Sequence, residues 1–457
     1  MKSVCLFLSI VLCLSLISCA FGDITDPLGD DYEVPQEWQP ILSEEEALEK
    51  YGLGDYRDTY DLQAIRLREC YDYCIYFRGN LKDPTKLELG SYNTLLRYDL
   101  RTGEILPACR DSACTHLNAS CPFYLKNTAR YLIHGDIMYY MTLKVTDDGN
   151  VDTSKPGGIY RYDMKSFECK LLTRIDTGVN GFFNYYKGKI YYVQNEYRDK
   201  ETNEYTEYIW SCDAKTGKTE KLFAYEENGN LEDRGRKPML IDEKGRLLFI
   251  NFIEFDTTDM DEIATLSFEY AELKKNAEIV EVVSGRFNFN YTASYRTRQY
   301  SNGRLYFNGR CIEEKIPYHY NGKDDYRLLG NYTIDYVDFN TGTFGRLMSN
   351  TIAGFCIAGD YLYYVPYDPK VIEYENGDTS VMWSHSRVVQ FNLKTREERE
   401  FPVPDLCEIG GVSIYYFRGR LFTSFTDYRD DKAGVDSVEL DLLTGEYRFI
   451  PLKMMIY

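Results

Sequence analysis

A short pattern of polar and apolar positions recurs along this chain. In six places a glycine precedes three or four apolar, aromatic or β-branched residues, which predicts a tight turn that opens a β-strand. The glycines are separated by 53, 57, 58, 56 and 60 residues. Such a near-constant period predicts a repeat architecture. The six glycines are Gly135, Gly188, Gly245, Gly303, Gly359 and Gly419.

A second motif follows these strands at a variable distance. It is a strand that ends in Asp or Asn, turns through residues such as Thr-Gly and resumes as another strand, which predicts an antiparallel hairpin. One expected copy is replaced by LSFEYAELKKNAE, residues 266–278. The other copies are YDLRTGE (98–104), YDMKSFE (162–168), CDAKTGK (212–218), VDFNTGT (337–343), FNLKTRE (391–397) and LDLLTGE (440–446).

Together the two motifs predict a four-stranded antiparallel meander as the repeated unit. One such sheet is unable to bury both of its faces alone. A radial arrangement of sheets buries these faces and leaves only short edges, which is the β-propeller solution. We therefore predict an all-β protein, with a β-propeller over residues 61–457. Six full units and an earlier one around Cys70 and Tyr98 predict seven blades, with six as the alternative.

The pattern resembles that of propeller-bearing lipoproteins of gut Firmicutes, which are related to TolB-like and YWTD-type propellers and are mostly of unknown function. The resemblance extends over about residues 60–457. It depends on the repeated Gly-x-aliphatic-Tyr-Tyr and Asp-x-x-Thr-Gly-Glu turns, with a cysteine-histidine stretch after the first unit. The sequence holds no intact YWTD tetrapeptide. The resemblance implies a lipid-anchored propeller.

The N-terminus has the features of an export signal. Lys2 precedes an apolar run over 4–17, which is too short for a usual membrane-spanning helix. The run leads into LISC, which ends at Cys19 and resembles the lipobox of bacterial lipoproteins, in which the thiol is acylated and the signal is removed before it. We therefore predict a signal peptide over 1–18, lipidation of Cys19, and an acidic tether with a short helix over 19–60. Two acyl chains are sufficient for anchoring at the extracytoplasmic face of the cell membrane.

The balance of charge limits the partners. Asp and Glu number 72 against 53 Lys and Arg, which gives a formal net charge of -19. Nucleic acid and anionic lipid headgroups repel so acidic a chain, and we expect it to bind neither of them directly. Attachment to the membrane is expected through the lipid anchor. The sequence leaves the oligomeric state open.

Long polar segments separate the two motifs in each unit. Equivalent segments of a propeller emerge on the same face, and loops on a rigid scaffold are where binding residues concentrate. The segments combine aromatic and acidic side chains, which suit sugars as well as cationic peptides. The alternative is that they are simply solvated loops. The candidate ligand-binding residues are Tyr197, Asp199, Asp259, Tyr318, Tyr320, Tyr374, Trp383 and Tyr428.

Familiar catalytic motifs are absent from the sequence. It contains no Gly-x-Ser-x-Gly nucleophile elbow, no Walker-type phosphate loop and no His-Glu-x-x-His zinc helix. A glycoside hydrolase needs two carboxylates roughly 5 to 10 Å apart. With 72 acidic residues such pairs arise by chance, so the sequence nominates no catalytic residue. An enzyme is therefore the minority hypothesis, and no organic cofactor is expected.

Three cysteines and a histidine lie within CRDSACTHLNASC, residues 109–121. Three thiolates and an imidazole form a closed tetrahedral zinc set, so Cys109, Cys114, His116 and Cys121 are candidate ligands of a structural zinc ion. Export favours disulfide bonds instead, with the two cysteines of the first unit as further partners. Zinc and disulfide are equal alternatives here, with packing of unpaired thiols third. Five later cysteines, one per unit, are predicted to be core residues.

From these features we expect a lipid-anchored, extracytoplasmic β-propeller that binds an extracellular ligand, a glycan or a protein, through one face and without catalysis. A carbohydrate-active propeller hydrolase is one alternative. A scaffold subunit of an envelope complex is another.

Overall fold

The computed structural model describes residues 70–450, with gaps at 72–73, 84–85, 89–93, 100–104, 111–113, 115–120, 122, 124–129, 143–156, 176–181, 200–203, 228–234, 257–262, 289–298, 375, 383–386, 404–406, 418–419 and 428–433. All regular structure in these residues is β-strand. In this part of the chain no helix is long and apolar enough to cross a membrane. The predicted signal peptide, Cys19 and the tether lie outside the described residues.

Antiparallel meanders follow one another along the chain, and strands that are consecutive in sequence are mostly neighbours in the sheet. The first sheet holds β1 (Cys70–Tyr71), β2 (Cys74–Asp83), β3 (Lys86–Glu88), β4 (Thr94–Asp99) and β5 (Ile105–Pro107). The second holds β6 (Arg130–His134), β7 (Ile137–Thr142), β8 (Gly157–Asp163) and β9 (Cys169–Ile175). The third holds β10 (Phe183–Tyr186), β11 (Lys189–Asp199), β12 (Glu204–Asp213) and β13 (Thr219–Glu227). The fourth holds β14 (Gly235–Ile241), β15 (Arg246–Asp256), β16 (Ile263–Glu272) and β17 (Ile279–Asn288).

The next sheet is larger because two meanders share a strand. The strands of this region are β18 (Gln299–Ser301), β19 (Arg304–Tyr320), β20 (Lys323–Asp338), β21 (Thr343–Ala358), β22 (Tyr361–Pro366), β23 (Lys370–Glu373), β24 (Thr379–Met382), β25 (Arg387–Asn392) and β26 (Glu398–Pro402). The first part of β21 pairs with β20 and its last part pairs with β22. β23 and β24 pair only with each other, as a separate hairpin. A last four-stranded sheet holds β27 (Cys407–Phe417), β28 (Arg420–Asp427), β29 (Gly434–Asp441) and β30 (Tyr447–Ile450).

Left-handed backbone angles explain the glycine of the first motif. The φ angle is +55° at Gly135, +80° at Gly188 and +83° at Gly303, a conformation that glycine adopts without strain. A Cβ atom at Gly303 would also lie 1.9 Å from Nδ2 of Asn340. The predicted turn is confirmed at five of the six glycines. The sixth, Gly419, lies outside the described residues.

A carboxylate or amide side chain holds the turn of the second motif. Oδ1 of Asp213 accepts the backbone N–H of Lys215 at 3.1 Å and that of Thr216 at 2.7 Å. These bonds close the turn locally, which is why Asp and Asn recur at this position. The same arrangement occurs at Asp163, Asp338, Asn392 and Asp441.

Residues 266–278 depart from the second motif but keep its hairpin. β16 ends at Glu272, and β17 begins at Ile279 and pairs with it. Asn276 has a φ angle of +52°, so it takes the left-handed position that Gly217 occupies in another copy. Asn tolerates this conformation through its short polar side chain, and the turn therefore survives the loss of the Thr-Gly pair.

Hydrophobic side chains pack between successive sheets. Met141 and Ile159 of the second sheet lie in one cluster with Ile190 and Tyr192 of the third. Similar clusters join the third sheet to the fourth, the two meanders that share β21, and the second of these to the last sheet. The first strand of the third sheet, β10, contacts the first strands β6 and β14 of its neighbours. Stacked meanders of this kind form a β-propeller, so the predicted fold class is confirmed. The number of blades stays a prediction.

The scattered cysteines have different surroundings. Cys212 and Cys356 are 0% exposed and are core residues, as predicted. Cys169 is exposed, and its sulfur lies 3.0 Å from the hydroxyl of Tyr140. The predicted burial is wrong there because Cys169 begins β9, an outer strand whose first positions face solvent.

Candidate functional site

The links between the second and third strands of the meanders leave their sheets at equivalent ends, because strand direction alternates in antiparallel sheets. Most of the predicted ligand-binding residues lie in or beside these links. Tyr197 and Asp199 are near the end of β11, where Tyr197 is partly buried and Asp199 is exposed. Asp259, Trp383 and Tyr428 lie outside the described residues.

The link between β19 and β20 is a long hairpin. The long polar segment expected between the two motifs of this unit is not a loop over residues 313–326, because the two strands stay paired as far as Tyr320 and Lys323. Asn321 and Gly322 form the turn with φ angles of +51° and +73°. Positive φ at both central residues is typical of a type I′ turn, for which Asn-Gly is the preferred pair. That pair was the signal in the sequence for a hairpin.

The β23–β24 hairpin packs against the end of the β19–β20 hairpin. The backbone N–H of His319 donates to Oγ1 of Thr379 at 2.6 Å. Nη1 of Arg327 donates to the carbonyl oxygen of Val381 at 2.7 Å. Val381 is 1% exposed, so the contact between the two hairpins is closely packed. The two hairpins are therefore held together as one structural unit, although they belong to different meanders.

This hairpin pair, defined as residues 313–328 together with 370–382 except 375, concentrates exposed hydrophobic side chains. Of the eleven large hydrophobic residues that are exposed in the described chain, five lie on it. Single exposed hydrophobic residues are ordinary, whereas a group of them marks an interaction surface. The exposed fractions are 56% for Tyr320, 50% for Tyr326, 42% for Val371, 40% for Leu328 and 38% for Tyr374.

Charged and polar groups border these side chains. Nζ of Lys315 lies 4.6 Å from the centre of the Tyr326 ring, which is a cation–π contact. The hydroxyl of Tyr318 donates to Oδ2 of Asp325 at 3.4 Å. The hairpin pair thus combines apolar side chains with both signs of charge, which suits a partner whose surface also contains apolar and charged groups.

Three of the predicted ligand-binding residues, Tyr318, Tyr320 and Tyr374, share the hairpin pair. The two candidates on β11 belong to another sheet. Leu328 and Val371 are neither aromatic nor acidic, so the pattern that marks the predicted ligand-binding residues does not include them. An aliphatic residue in a strand gives no sign of the face that it occupies until the pairing register is known.

The sulfur atoms of Cys109, Cys114 and Cys121 lie within 4.8 Å of one another. Cys109 is 8% exposed and Cys121 is 3% exposed, while Cys114 is partly buried. No disulfide bond links these three sulfurs in the described chain. Burial, together with the neighbouring thiols, raises the pKa of Cys121. The fourth predicted ligand, His116, lies outside the described residues.

This cysteine cluster lies where the first sheet meets the second. The backbone N–H of Leu95, in β4, donates to the carbonyl oxygen of Phe123 at 3.0 Å. The Phe123 ring packs edge-on against Tyr162, in β8, with ring centres 4.6 Å apart. Cys109 and Cys121 belong to the same hydrophobic cluster as these residues. The cluster therefore occupies the connection that joins the two sheets.

Buried carboxylates elsewhere in the sheets form ion pairs with arginines. Oε1 of Glu439 lies 2.5 Å from Nη1 of Arg420, and their side chains are 1% and 3% exposed. Oδ1 of Asp335 lies 3.0 Å from Nε of Arg346. Burial raises the pKa of Asp335, and the hydrogen bond and charge of Arg346 oppose that shift. These carboxylates connect neighbouring strands of their own sheets.

Comparisons with known proteins show similarity in structure but not in sequence family. No protein-family model matches the chain, and no curated protein matches it. A puromycin-hydrolyzing peptidase of Mycobacterium tuberculosis is 10% identical, with a TM-score of 0.41 over 86% of this chain and 56% of the peptidase. The β-propeller domain of the Trilobed protease from Pyrococcus furiosus is 14% identical, with a TM-score of 0.37 over 71% of this chain and 83% of that domain.

The acylaminoacyl peptidase of Pyrococcus horikoshii is 11% identical, with a TM-score of 0.44 over 83% of this chain and 50% of the peptidase. The chain thus spans about half the length of the two peptidases. At these TM-scores the fold assignment depends on the strand topology of this chain itself.

Proposed function

We propose that this chain is a lipid-anchored, extracytoplasmic protein whose β-propeller binds an extracellular ligand, a protein or a glycan, without catalysis. The observation that carries the proposal is the group of exposed apolar side chains on the hairpin pair. Leaving such side chains in water costs free energy that binding recovers, at roughly 25 cal/mol per Å² of apolar surface buried. A rigid two-hairpin support lowers the entropy cost of that binding.

A protein partner is favoured over a glycan. Leu328 lies on the same face of β20 as Tyr326, and Val371 adds aliphatic surface on the second hairpin. Tyr320 lies on the opposite face of the β19–β20 hairpin. Aliphatic side chains gain from burial against another apolar surface, whereas sugars stack on the flat faces of aromatic rings. Tyrosine is also enriched where protein interfaces concentrate their binding energy. The net charge of -19 adds a long-range attraction for a partner with a basic surface.

The N-terminal sequence supports an outward-facing role. The lipobox-like end of the apolar run at Cys19 is typical of an anchored lipoprotein, and the acidic stretch over 19–60 would separate the propeller from the lipid surface. In cell fractionation, we expect the wild-type chain to sediment with membranes and a Cys19→Ala variant to be soluble or to retain its signal peptide. A wild-type chain that carries no acyl mass at Cys19 would contradict the anchor.

Ligand binding is tested with a surface variant and a matched control. Tyr320→Ser with Tyr326→Ser removes two exposed rings, and Leu443→Ser removes a residue that is 51% exposed in the turn between β29 and β30. The three substituted side chains are exposed, so the hairpin variant and the control variant are expected to fold. Each form of the full chain is presented to a panel of glycans and to fractionated extracellular proteins in a surface-plasmon-resonance assay. We expect at least a tenfold loss of affinity, about 1.4 kcal/mol, in the hairpin variant alone.

Equal binding by the hairpin variant and the wild type would contradict this surface. Retention of glycans with no protein partner would indicate that the ligand is a glycan and not a protein. Shortened glycans after incubation would overturn the non-catalytic proposal and favour the carbohydrate-active hydrolase. If the chain is recovered in fixed stoichiometry with envelope proteins, and the hairpin variant is recovered equally well, the alternative of a scaffold subunit of an envelope complex would be favoured.

A further inference from the structure

The ligand-binding proposal makes no use of the cysteine cluster at the junction of the first two sheets. Its three sulfur atoms lie within 4.8 Å of one another. In a tetrahedral zinc site the Zn–S bonds are about 2.3 Å long, so neighbouring sulfurs lie about 3.8 Å apart. Side-chain shifts of about 1 Å or less therefore convert the observed spacing into that of a metal site.

Neither a disulfide bond within the cluster nor core packing of separate thiols accounts for three sulfurs so close together. A disulfide bond joins two sulfurs at about 2.05 Å, so the third thiol could pair only with a further cysteine, for which Cys74 in the same hydrophobic cluster is the candidate. Core packing places Cys212 and Cys356 in two different hydrophobic clusters, whereas Cys109 and Cys121 share theirs with Cys74. A zinc ion would engage the three together, because it binds cysteines as thiolates and offsets the negative charge that they acquire on losing their protons.

We propose that Cys109, Cys114 and Cys121 bind one zinc ion as thiolates, and that this zinc is structural. Binding converts three thiols and Zn²⁺ into a zinc tris-thiolate and three released protons, with no oxidant or reductant required. Thiolate ligands select Zn²⁺ among the common divalent ions. The prediction from the sequence that His116 completes the tetrahedron is a separate one, since His116 is not among the described residues.

The position of the site indicates its role. Cys109 follows directly on Ala108, whose N–H donates to the carbonyl oxygen of Leu95 at 2.9 Å. Cys121 precedes Phe123, which accepts from the N–H of Leu95 and packs on the second sheet. Zinc would close residues 109–121 into a loop between these anchor points. It would thereby fasten the first sheet to the second, and structural zinc sites contribute directly to folding free energy.

The test measures metal in the full chain, produced in zinc-supplied cells and purified without oxygen or chelators. We expect about one zinc ion per chain, measured by inductively coupled plasma mass spectrometry. Cys114→Ser removes a sulfur at the least buried position of the cluster and is expected to lose most of the zinc. Cys169→Ser removes an exposed cysteine outside the cluster and is expected to keep it.

A second measurement does not depend on how a variant folds. Wild-type protein stripped of zinc and loaded with Co²⁺ alone is expected to show thiolate-to-cobalt charge-transfer absorption and the visible bands of tetrahedral cobalt. Limited proteolysis within residues 70–130 is expected to accelerate when zinc is removed. Zinc-free wild-type protein, a cobalt spectrum without thiolate bands, an intact mass reduced by two hydrogens at these cysteines, or equal zinc in both variants would each overturn the proposal.

Discussion

The backbone N–H of His319 donates to Oγ1 of Thr379 at 2.6 Å, and the two residues are 60 positions apart in the chain. This bond holds the hairpin of one meander against the hairpin of the next. Because it joins two projecting elements, its loss should affect the local order of the hairpin pair more than the stability of the whole propeller.

Thr379→Val keeps the shape of the side chain and removes the hydroxyl. The partly buried N–H of His319 then lacks this acceptor, at a cost of about 1 to 3 kcal/mol to the local structure. We expect faster hydrogen exchange in residues 313–328 and an almost unchanged melting temperature. Ser284→Ala, which removes an exposed hydroxyl bonded to Glu281, is the control. Unchanged exchange in the Thr379 variant would show that the hairpins are held by other contacts.

Two turn glycines with similar backbone angles differ in their surroundings. Gly322 has φ +73° and no atom within 4 Å of a built Cβ, whereas at Gly303, with φ +83°, that Cβ meets Asn340 at 1.9 Å. Gly322→Ala should therefore cost only the conformational strain, about 1 to 2 kcal/mol. Gly303→Ala should cost more, because Asn340 must also move. Urea unfolding of the two variants measures the difference, and equal losses would contradict the role of Asn340.

Asp213 gives the stability of the propeller a dependence on pH. Hydrogen bonds from the backbone N–H and side chain of Thr216 lower the pKa of Asp213. A carboxyl group whose folded pKa is below its unfolded value of about 3.9 stabilises the fold above that pH, and this contribution is lost as pH falls through the folded pKa. Asp213→Asn keeps the acceptor, as Asn392 does in its own turn. The wild type should therefore melt at a higher temperature than the Asp213→Asn variant at neutral pH, and this difference should shrink at pH 3. An equal difference at both pH values would contradict a stabilising role for the charge of Asp213.

Substitution of one partner should destabilise the fold far more at the buried ion pair of Arg420 and Glu439 than at an exposed ion pair. Arg420→Met leaves the Glu439 carboxylate buried beside an apolar side chain, at a cost of about 3 to 5 kcal/mol. Lys165→Met breaks an ion pair with Asp136 in which the side chains are 69% and 46% exposed, and such pairs are worth about 1 kcal/mol or less. Chemical denaturation compares the two. Adding Glu439→Leu to the arginine variant should restore part of the stability, and no recovery would mean that packing, not charge, causes the loss.

His116 remains a prediction from the sequence as the fourth zinc ligand. If it binds the metal, His116→Ala leaves three thiolates and weakens zinc binding by at least tenfold, about 1.4 kcal/mol. Competition with a chromophoric chelator measures this change. His385→Ala, at a histidine far along the sequence from the cysteines, is the control. Equal zinc affinity in the two variants would assign the fourth position to another ligand.

The repeating signals in the sequence were sufficient for the fold class. Glycine before an apolar strand and Asp before a turn act through local backbone chemistry, namely a positive φ angle and side-chain bonds to nearby N–H groups. Such effects are contained in a few consecutive residues and can be read directly, as Gly188 and Asp213 illustrate. The three cysteines of 109–121 were also close enough in sequence for their spacing to predict a cluster.

Other features depended on which strands meet. The sequence shows Asn321 and Gly322, but only the pairing register shows that β19 and β20 continue as one hairpin, and only the tertiary structure brings Thr379 against His319. The exposure of Val371 and the burial of Val381 are likewise set by neighbours distant in the chain. The reason is physical: local backbone preferences are fixed by adjacent residues, whereas the face that a strand residue presents is decided by long-range packing.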